Sequence, residues 1–316
     1  MYLNKTTNKM KDISIIMINY NSASYSMNCV NSILNKTNSD LEYEIIIIDN
    51  NSNEQDYDRL NHFCKGVACV SLIRSRINLG FSAGHMLGVQ KAQGSYIYFL
   101  NNDTEFLNDN LRILYSFMES NKSVALCTGQ MYDSNKNFKP SFNSFPTLRR
   151  ALFGASLLSI FNPRKYPSRK RAFTCPVQVD FATGAAMFVN FEKFAEVGGF
   201  DTNYFLYCEE EDIAMKFKQA GYSIFLIPEA KFIHHVSKST IRDLRIEKEF
   251  YVSLFYYHKK YSGFLEYKII KLLHFLKNVK RAYKGANYLK ISLFILKGAK
   301  MGNSLRHGQK IALGDR

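Results

Sequence analysis

Three apolar runs, Ile13–Ile18, Glu44–Ile48 and Ser95–Leu100, each stop abruptly at asparagine and aspartate. The second is almost pure isoleucine, and no run alternates with polar residues. Strands this apolar must be covered on both faces, which excludes an antiparallel sheet with one wet side. Between them lie segments with helical character: from Ser22, a potential N-cap, to about Asn35, roughly Gln55 to Cys64, and Asn78 to about Ala92. Ala68 to Arg74 reads as a further strand. Strand, polar terminus and helix repeat four times, so the expectation is an α/β protein with a mostly parallel sheet and helices on both faces. Ligands of such sheets bind beyond the carboxyl ends of the strands. Those ends here carry Asn19-Tyr20-Asn21, Asp49-Asn50-Asn51-Ser52 and Asn101-Asn102-Asp103-Thr104.

Composition narrows the class. With 316 residues, 46% hydrophobic and 22% charged, the chain can bury a substantial core and is not globally disordered. Its six cysteines form no CxxC pair, which disfavours a zinc ribbon or a disulfide scaffold and suits a reducing compartment. No secretory pattern opens the sequence, and no run reaches the length of a membrane span, so a cytoplasmic location is expected. The net charge of +15 is uneven: residues 241–316 hold 17 Lys and Arg against 5 Asp and Glu, and residues 1–240 are nearly balanced. Such local charge reads as a docking surface, not as a nucleic-acid signature. A second basic cluster (Arg149, Arg150, Arg164, Lys165, Arg169, Lys170, Arg171) lies in a proline-rich stretch, about 140–176, that reads as a surface excursion.

Several residues are candidates for chemistry. Asp49 can cap the next helix or accept a hydrogen bond from a nucleobase N–H, with Asn21 as a second polar contact. Asp103, after an apolar strand and expected to lead into a helix, suits Mg²⁺ or Mn²⁺, which one or two carboxylates and substrate phosphates commonly hold. His234, after a short strand, is a candidate second ligand. Gly80, Gly84 and Gly88 share one helix face, for close packing or ligand contact. Glu209-Glu210-Glu211-Asp212 places four consecutive acids at a helix start behind the aromatic Tyr204-Phe205-Leu206-Tyr207. Such repulsion needs an offset from the helix dipole, a cation or a substrate, and a buried member can work as a general base. The GxGxxG dinucleotide fingerprint is absent after the first strand.

In order, these segments resemble family 2 glycosyltransferases of the inverting GT-A fold, particularly the bacterial rhamnosyltransferase-like enzymes of O-antigen and cell-wall polysaccharide assembly. The matching segments are Asn19-Tyr20-Asn21, Asp49 to Ser52, Asn78-Leu79-Gly80-Phe81, Asn101 to Asp103, Gly184, Gly198-Gly199-Phe200-Asp201, Phe205 to Asp212 and His234. The resemblance implies a Rossmann-like nucleotide-binding half over about 12–130 and an acceptor half over about 175–240. Asn19, Tyr20, Asn21, Asp49, Asn51, Asn78, Gly80, Asn101, Asn102 and Gly184 would line the nucleotide-sugar site. Asp103 and His234 would hold Mg²⁺ or Mn²⁺. Glu210 would be the base, with Glu209 and Asp212 in support. Three positions depart from the family pattern: Asn101 replaces the first acid of the DxD motif, Glu210 replaces an aspartate, and His85-Met86 stand where relatives have asparagine. The implied reaction moves a sugar from dTDP-rhamnose or a UDP-sugar to a hydroxyl of a glycan, often linked to polyprenyl diphosphate.

Two other classes compete. A sugar nucleotidyltransferase would favour a Gly-rich, Lys- or Arg-bearing loop after the first strand, and Asn19 to Ser24 offers neither. A non-catalytic basic membrane-binding module does not explain the acidic cluster. Residues 241–316 read as basic amphipathic helices. Ile269, Ile270, Leu272, Leu273, Phe275, Leu276 and Val279 form a stripe edged by lysines. Such a stripe can pack on the catalytic domain or lie on the anionic inner leaflet of a bacterial membrane, as a peripheral anchor.

Overall fold

The computed structural model describes residues 11–38, 40–235 and 243–311. The first half alternates β1 (Lys11–Asn19), α1 (Ala23–Lys36), β2 (Tyr43–Asp49), α2 (Glu54–Lys65), β3 (Val70–Arg74), α3 (Gly80–Val89) and β4 (Gly94–Leu100). Then come β5 (Thr104–Phe106), α4 (Asn110–Ser120), β6 (Val124–Tyr132), β7 (Phe138–Lys139) and β8 (Phe142–Asn143). The excursion holds α5 (Leu148–Phe161), kinked at the non-helical Gly154. After it follow β9 (Val177–Gln178), β10 (Phe181–Ala182), β11 (Ala186–Asn190), α6 (Phe191–Glu196), α7 (Glu209–Gln219) and β12 (Ser223–His234). Beyond residue 243 are α8 (Leu244–Tyr261), α9 (Phe264–Lys280), α10 (Ala286–Leu296) and short 3₁₀ turns at Met301–Asn303 and Leu305–Gly308.

One sheet runs β3-β2-β1-β4-β11-β6-β12-β5. The four strands read from the sequence pair in parallel. β11 enters antiparallel to both β4 and β6, and β12 lies parallel to β6. Register aligns Asn19 with Asp49 and Asp49 with Arg74, so the polar ends of β1, β2 and β3 form one row. The strand interiors from Ile13 to Met17, Ile45 to Ile48 and Ile97 to Leu100 are buried, apolar side chains on both faces. That burial is why the alternating reading holds for this half.

Elsewhere the structure corrects the reading. Asp103 leads into a strand, β5, instead of a helix. The segment from 105 to 139, left without assignment, holds α4 and β6. The strand before His234 is not short: β12 runs from Ser223, with a shift in pairing between Ile227 and Lys231. α7 starts at the acids themselves, directly after left-handed backbone at Tyr207 and Cys208.

The expected boundary between 240 and 241 falls outside the described residues. The helices beyond it are not a separate unit. α8 buries Tyr251, Val252, Leu254, Phe255 and Tyr257 in the same core that covers the sheet. Ser253 Oγ donates to the Leu206 carbonyl at 2.7 Å, fixing α8 beside the loop before α7. Of the anticipated apolar stripe, Ile270 is buried, whereas Leu272, Leu276 and Val279 are 54%, 50% and 42% exposed. The stripe is therefore split between core and surface. No described helix is long and apolar enough to cross a membrane.

Candidate active site

At the carboxyl ends of β1, β2 and β4 lies a cleft of about 660 Å³. Its near wall is Tyr20, Asn21, Asn50, Asn78 and Gly80, and its floor is Asn101, Asn102 and Asp103. Asn21 adopts left-handed backbone (φ 50°), and its Oδ1 accepts from the backbone and side-chain N–H groups of Asn53. Asn50 spans β2 and α3, donating to the Gly80 carbonyl at 2.9 Å and accepting from Leu79 N–H. Gly80 has φ 72°, and a Cβ there would stand 2.3 Å from the Phe205 carbonyl oxygen. The site thus requires glycine, because the chain before α7 passes directly over α3. A larger hollow of 770 Å³ opens beside Gly94, where β4 begins, at the opposite edge from these polar ends.

Two expected cleft residues are set back from it. Asn19 and Asp49 are fully buried. Asn19 Nδ2 donates to Asp49, Ser52 and Asp56, while its Oδ1 accepts from Ser26 and Ser22. Asp49 also accepts from Ser52 N–H at 3.1 Å and faces the Arg74 guanidinium at 3.8 Å. Asp49, expected to meet the nucleobase, thus holds the loop that shapes the cleft. Asp56 completes this network by accepting from the Ser22 and Ala23 N–H groups at the start of α1. Neither Asp56 nor Asn50 was singled out from the sequence, because each owes its role to a neighbour about thirty residues away. Asn102 bonds Ser22 and Ser26, Asn78 accepts from Gly80 N–H, and Asn51 donates to the Lys310 carbonyl.

At the floor, β12 returns beside β5 and brings His234 Nε2 within 3.0 Å of Asp103 Oδ1 and 3.4 Å of Asn101 Nδ2. Backbone bonding of His235 N–H to the Asp103 carbonyl locks this pairing. Among the described residues no group of three or more His, Cys, Asp and Glu side chains converges. One carboxylate lining the cleft, with an imidazole beside it, fits a divalent ion whose remaining ligands would come from phosphate and water.

The acids sit behind Phe81. Phe81 lines the cleft, and its N–H donates to the Phe205 carbonyl at 2.8 Å. Its ring packs where Gly184 lacks a side chain, and the site of that missing Cβ lies 3.9 Å from Glu210 Oε1. Burial pushes Glu209, Glu210 and Glu211 above the ordinary carboxyl range, and mutual repulsion adds to it at Glu209 and Glu211. One oxygen of each finds no hydrogen-bond partner among the described residues. Asp212, expected to support the base, is engaged differently. Its carboxylate accepts from Lys260 at 2.6 Å and Tyr261 at 2.9 Å, and it faces Lys216 at 3.4 Å. It ties α7 to α8. His85 is buried among Phe81, Phe99 and Phe200, which holds its imidazole neutral with a pKa pushed down to about 3.

A roof covers the cleft from the far end of the chain. Glu249 on α8 is buried and accepts from Ser304 Oγ at 2.8 Å and Leu305 N–H at 2.7 Å. Leu305 and Gln309 thereby become part of the cleft wall, opposite Asn21.

A cleft at the carboxyl ends of parallel strands, with amides on its walls and an Asp–His pair on its floor, defines a GT-A glycosyltransferase site. The chain belongs to glycosyl transferase family 2, whose model matches residues 14–198. It is similar to the rhamnosyltransferase WbbL of Escherichia coli, 28% identical over 71% of this chain and 83% of that protein. It is also similar to an N-acetylglucosaminyl-diphospho-decaprenol L-rhamnosyltransferase of Mycobacterium tuberculosis, 31% identical over 35% of this chain and 37% of that one. The fold is shared with the mannosyltransferase PcManGT of Pyrobaculum calidifontis, solved with GDP-Man and Mn²⁺ (TM-score 0.58, 16% identity, 92% of this chain and 76% of that one). The protein is thus a rhamnosyltransferase-like glycosyltransferase, which sets aside the nucleotidyltransferase and non-catalytic alternatives.

Proposed function

We propose that the enzyme transfers a sugar, rhamnose from dTDP-rhamnose or a hexose from a UDP-sugar, to a hydroxyl of a lipid-linked glycan with inversion at the anomeric carbon. The Asp103–His234 pair on the cleft floor carries this reading. Tyr20, Asn21 and Asn50 bind the nucleoside, with Asn19 and Asp49 positioning their loop. Asp103, His234 and Asn101 hold Mg²⁺ or Mn²⁺ against the donor diphosphate. When bound, such an ion stabilises charge on the departing diphosphate. The Mn²⁺ of the mannosyltransferase complex and the decaprenol-linked substrate named for the mycobacterial relative support the metal and the acceptor.

Glu210 acts from the acceptor side. Its pKa, raised by burial, makes it a stronger base than an exposed carboxylate. As the acceptor oxygen bonds to the anomeric carbon, the bond from that carbon to the diphosphate oxygen breaks. The hydroxyl proton passes to Glu210. A single displacement of this kind inverts configuration and needs no covalent nucleophile.

The exposed Leu272, Leu276 and Val279, with the lysines of α9 around them, would set the enzyme on an anionic membrane where a lipid-linked acceptor resides. The test of the donor site is calorimetry of dTDP and UDP with and without Mn²⁺. Wild type should bind more tightly with Mn²⁺, and Asp103→Ala should lose that gain. Equal metal dependence in the variant removes Asp103 from the site.

A further inference from the structure

The basic excursion is the part of the molecule that the donor chemistry leaves unused. It folds α5 over a separate cavity of about 440 Å³. Three cations line it, Lys165, Arg169 and Lys170, against a single acid, Asp180. Arg169 is half-buried and donates through Nε to the Phe142 carbonyl at 3.2 Å; its two terminal nitrogens have no hydrogen bond among the described residues. Beside the cavity, Arg150 donates to the Ser144 carbonyl and to Asn143 Oδ1. Burial lowers the pKa of both guanidiniums, and Arg150 adds to the effect at Arg169. Glu211 and Asp180 compensate Arg150, but no acid does so for Arg169, and a multiply charged anion would complete the pairing.

The roof of the cavity is apolar. No residue of α5 is buried. Leu152, Phe153, Ile160 and Phe161 are 54%, 56%, 75% and 79% exposed, and Ile160 also lines the cavity. A charged hollow with a greasy rim matches a phosphorylated lipid better than a free anion. The cavity is also coupled to the base. Its Phe142 and Asn143 pair with Ala182 and Phe181, and Thr183 N–H donates to the Ser141 carbonyl. This ribbon ends at Gly184, against Glu210.

We propose that the cavity under α5 is the diphosphate subsite of the acceptor, a polyprenyl-diphosphate-linked saccharide. Lys165, Arg169 and Lys170 bind the phosphates, the apolar face of α5 carries the first prenyl units, and the β8–β10 ribbon leads the saccharide to Glu210. This rests on the acceptor reading above and gives it a place.

Titration of the full chain in EDTA with farnesyl diphosphate, inorganic pyrophosphate and farnesol tests it. Farnesyl diphosphate should bind at least tenfold more tightly than either fragment. Lys165→Gln with Lys170→Gln should weaken it at least tenfold and leave Mn²⁺-dependent dTDP or UDP affinity within twofold. Arg169→Gln should weaken it further; the lysine pair, whose side chains are exposed, decides the matter if that variant misfolds. Wild-type affinity in the lysine pair overturns the proposal. So does pyrophosphate binding as tightly as farnesyl diphosphate, which marks a general anion site, or farnesol binding as tightly, which marks an apolar surface only. If the lysine pair loses only flotation on phosphatidylglycerol vesicles, the cluster is a membrane contact and the subsite falls. The donor reading fails independently, through unchanged nucleotide binding in Asp103→Ala.

Discussion

Around Asn19 the polar groups are amides, hydroxyls and carboxylates that satisfy one another; around Glu210 they are buried acids with oxygens left unbonded. The first arrangement is rigid before any ligand arrives, since each loop is held by side chains from another strand. The second is electrostatically unfinished. Of the three glutamates on the first turn of α7, Glu211 is attracted to the half-buried Arg150, while Glu209 is crowded by other acids. The contrast teaches that one sheet can carry a cleft whose polar groups satisfy one another beside a charged region that is left uncompensated.

The largest expected effect tests the charged side. Glu210→Gln should lower kcat by about 10²–10⁴-fold, the usual contribution of a general base, and leave nucleotide affinity within a few-fold. Turnover like wild type would place the base elsewhere. Next comes the link between the regions. Burial works against the Lys260 charge, but bonds to Asp212 and Asp201 outweigh that and hold it above its ordinary range. Lys260→Met removes the cation that both carboxylates share and should cost about 3 kcal/mol in urea unfolding. A loss below about 1 kcal/mol would show that Tyr261 and Lys216 suffice for Asp212.

The neutral side is probed by Gly80→Ala. The added Cβ meets the Phe205 carbonyl on a left-handed backbone, so destabilisation of about 1–3 kcal/mol is expected, with weaker nucleotide binding. Full retention of both would mean that the chain before α7 yields easily.

The smallest effect is a dependence on pH. Burial raises the pKa of Glu211, so the stability it contributes is complete below the ordinary carboxyl pKa and is lost as pH rises through the raised value. Glu211→Gln should therefore stabilise the protein by about 1 kcal/mol at pH 8 and by less at pH 5, read from melting at both pH values. The opposite order would show that a cation already neutralises the carboxylate. Glu210 obeys the same sign in function: it must be ionised to take a proton, so activity should fall on the acid side at a pH above that of an exposed carboxylate.

The sequence exposed the first four strands because their interiors are almost wholly apolar, with only Ser14 and Ser71 interrupting them. It hid β6, equally buried, because Thr128, Gly129 and Gln130 interrupt the run. Tertiary structure explains the interruption: a Cβ at Gly129 would lie 2.6 Å from the Ala230 carbonyl, where β12 shifts its pairing. The excursion read as loop because its prolines and basic residues mask a short helix whose apolar side chains stay outside. Asp103 and His234 were legible as types at strand ends, but their 3.0 Å approach depends on β12 pairing with β5, a short strand that no pattern announces. Asp49 and Asp212 read as site carboxylates, but their bonds to Asn19 and Lys260 come from distant segments and no local pattern announces them.

The roof formed by Leu305 and Gln309 joins the last described turns of the chain to a cleft begun by its first strand. Biosynthesis runs in one direction, so Tyr20 and Asn21 leave the ribosome long before the residues that Glu249 holds in place. The cleft wall therefore stays incomplete until Ser304 and Leu305 have reached Glu249.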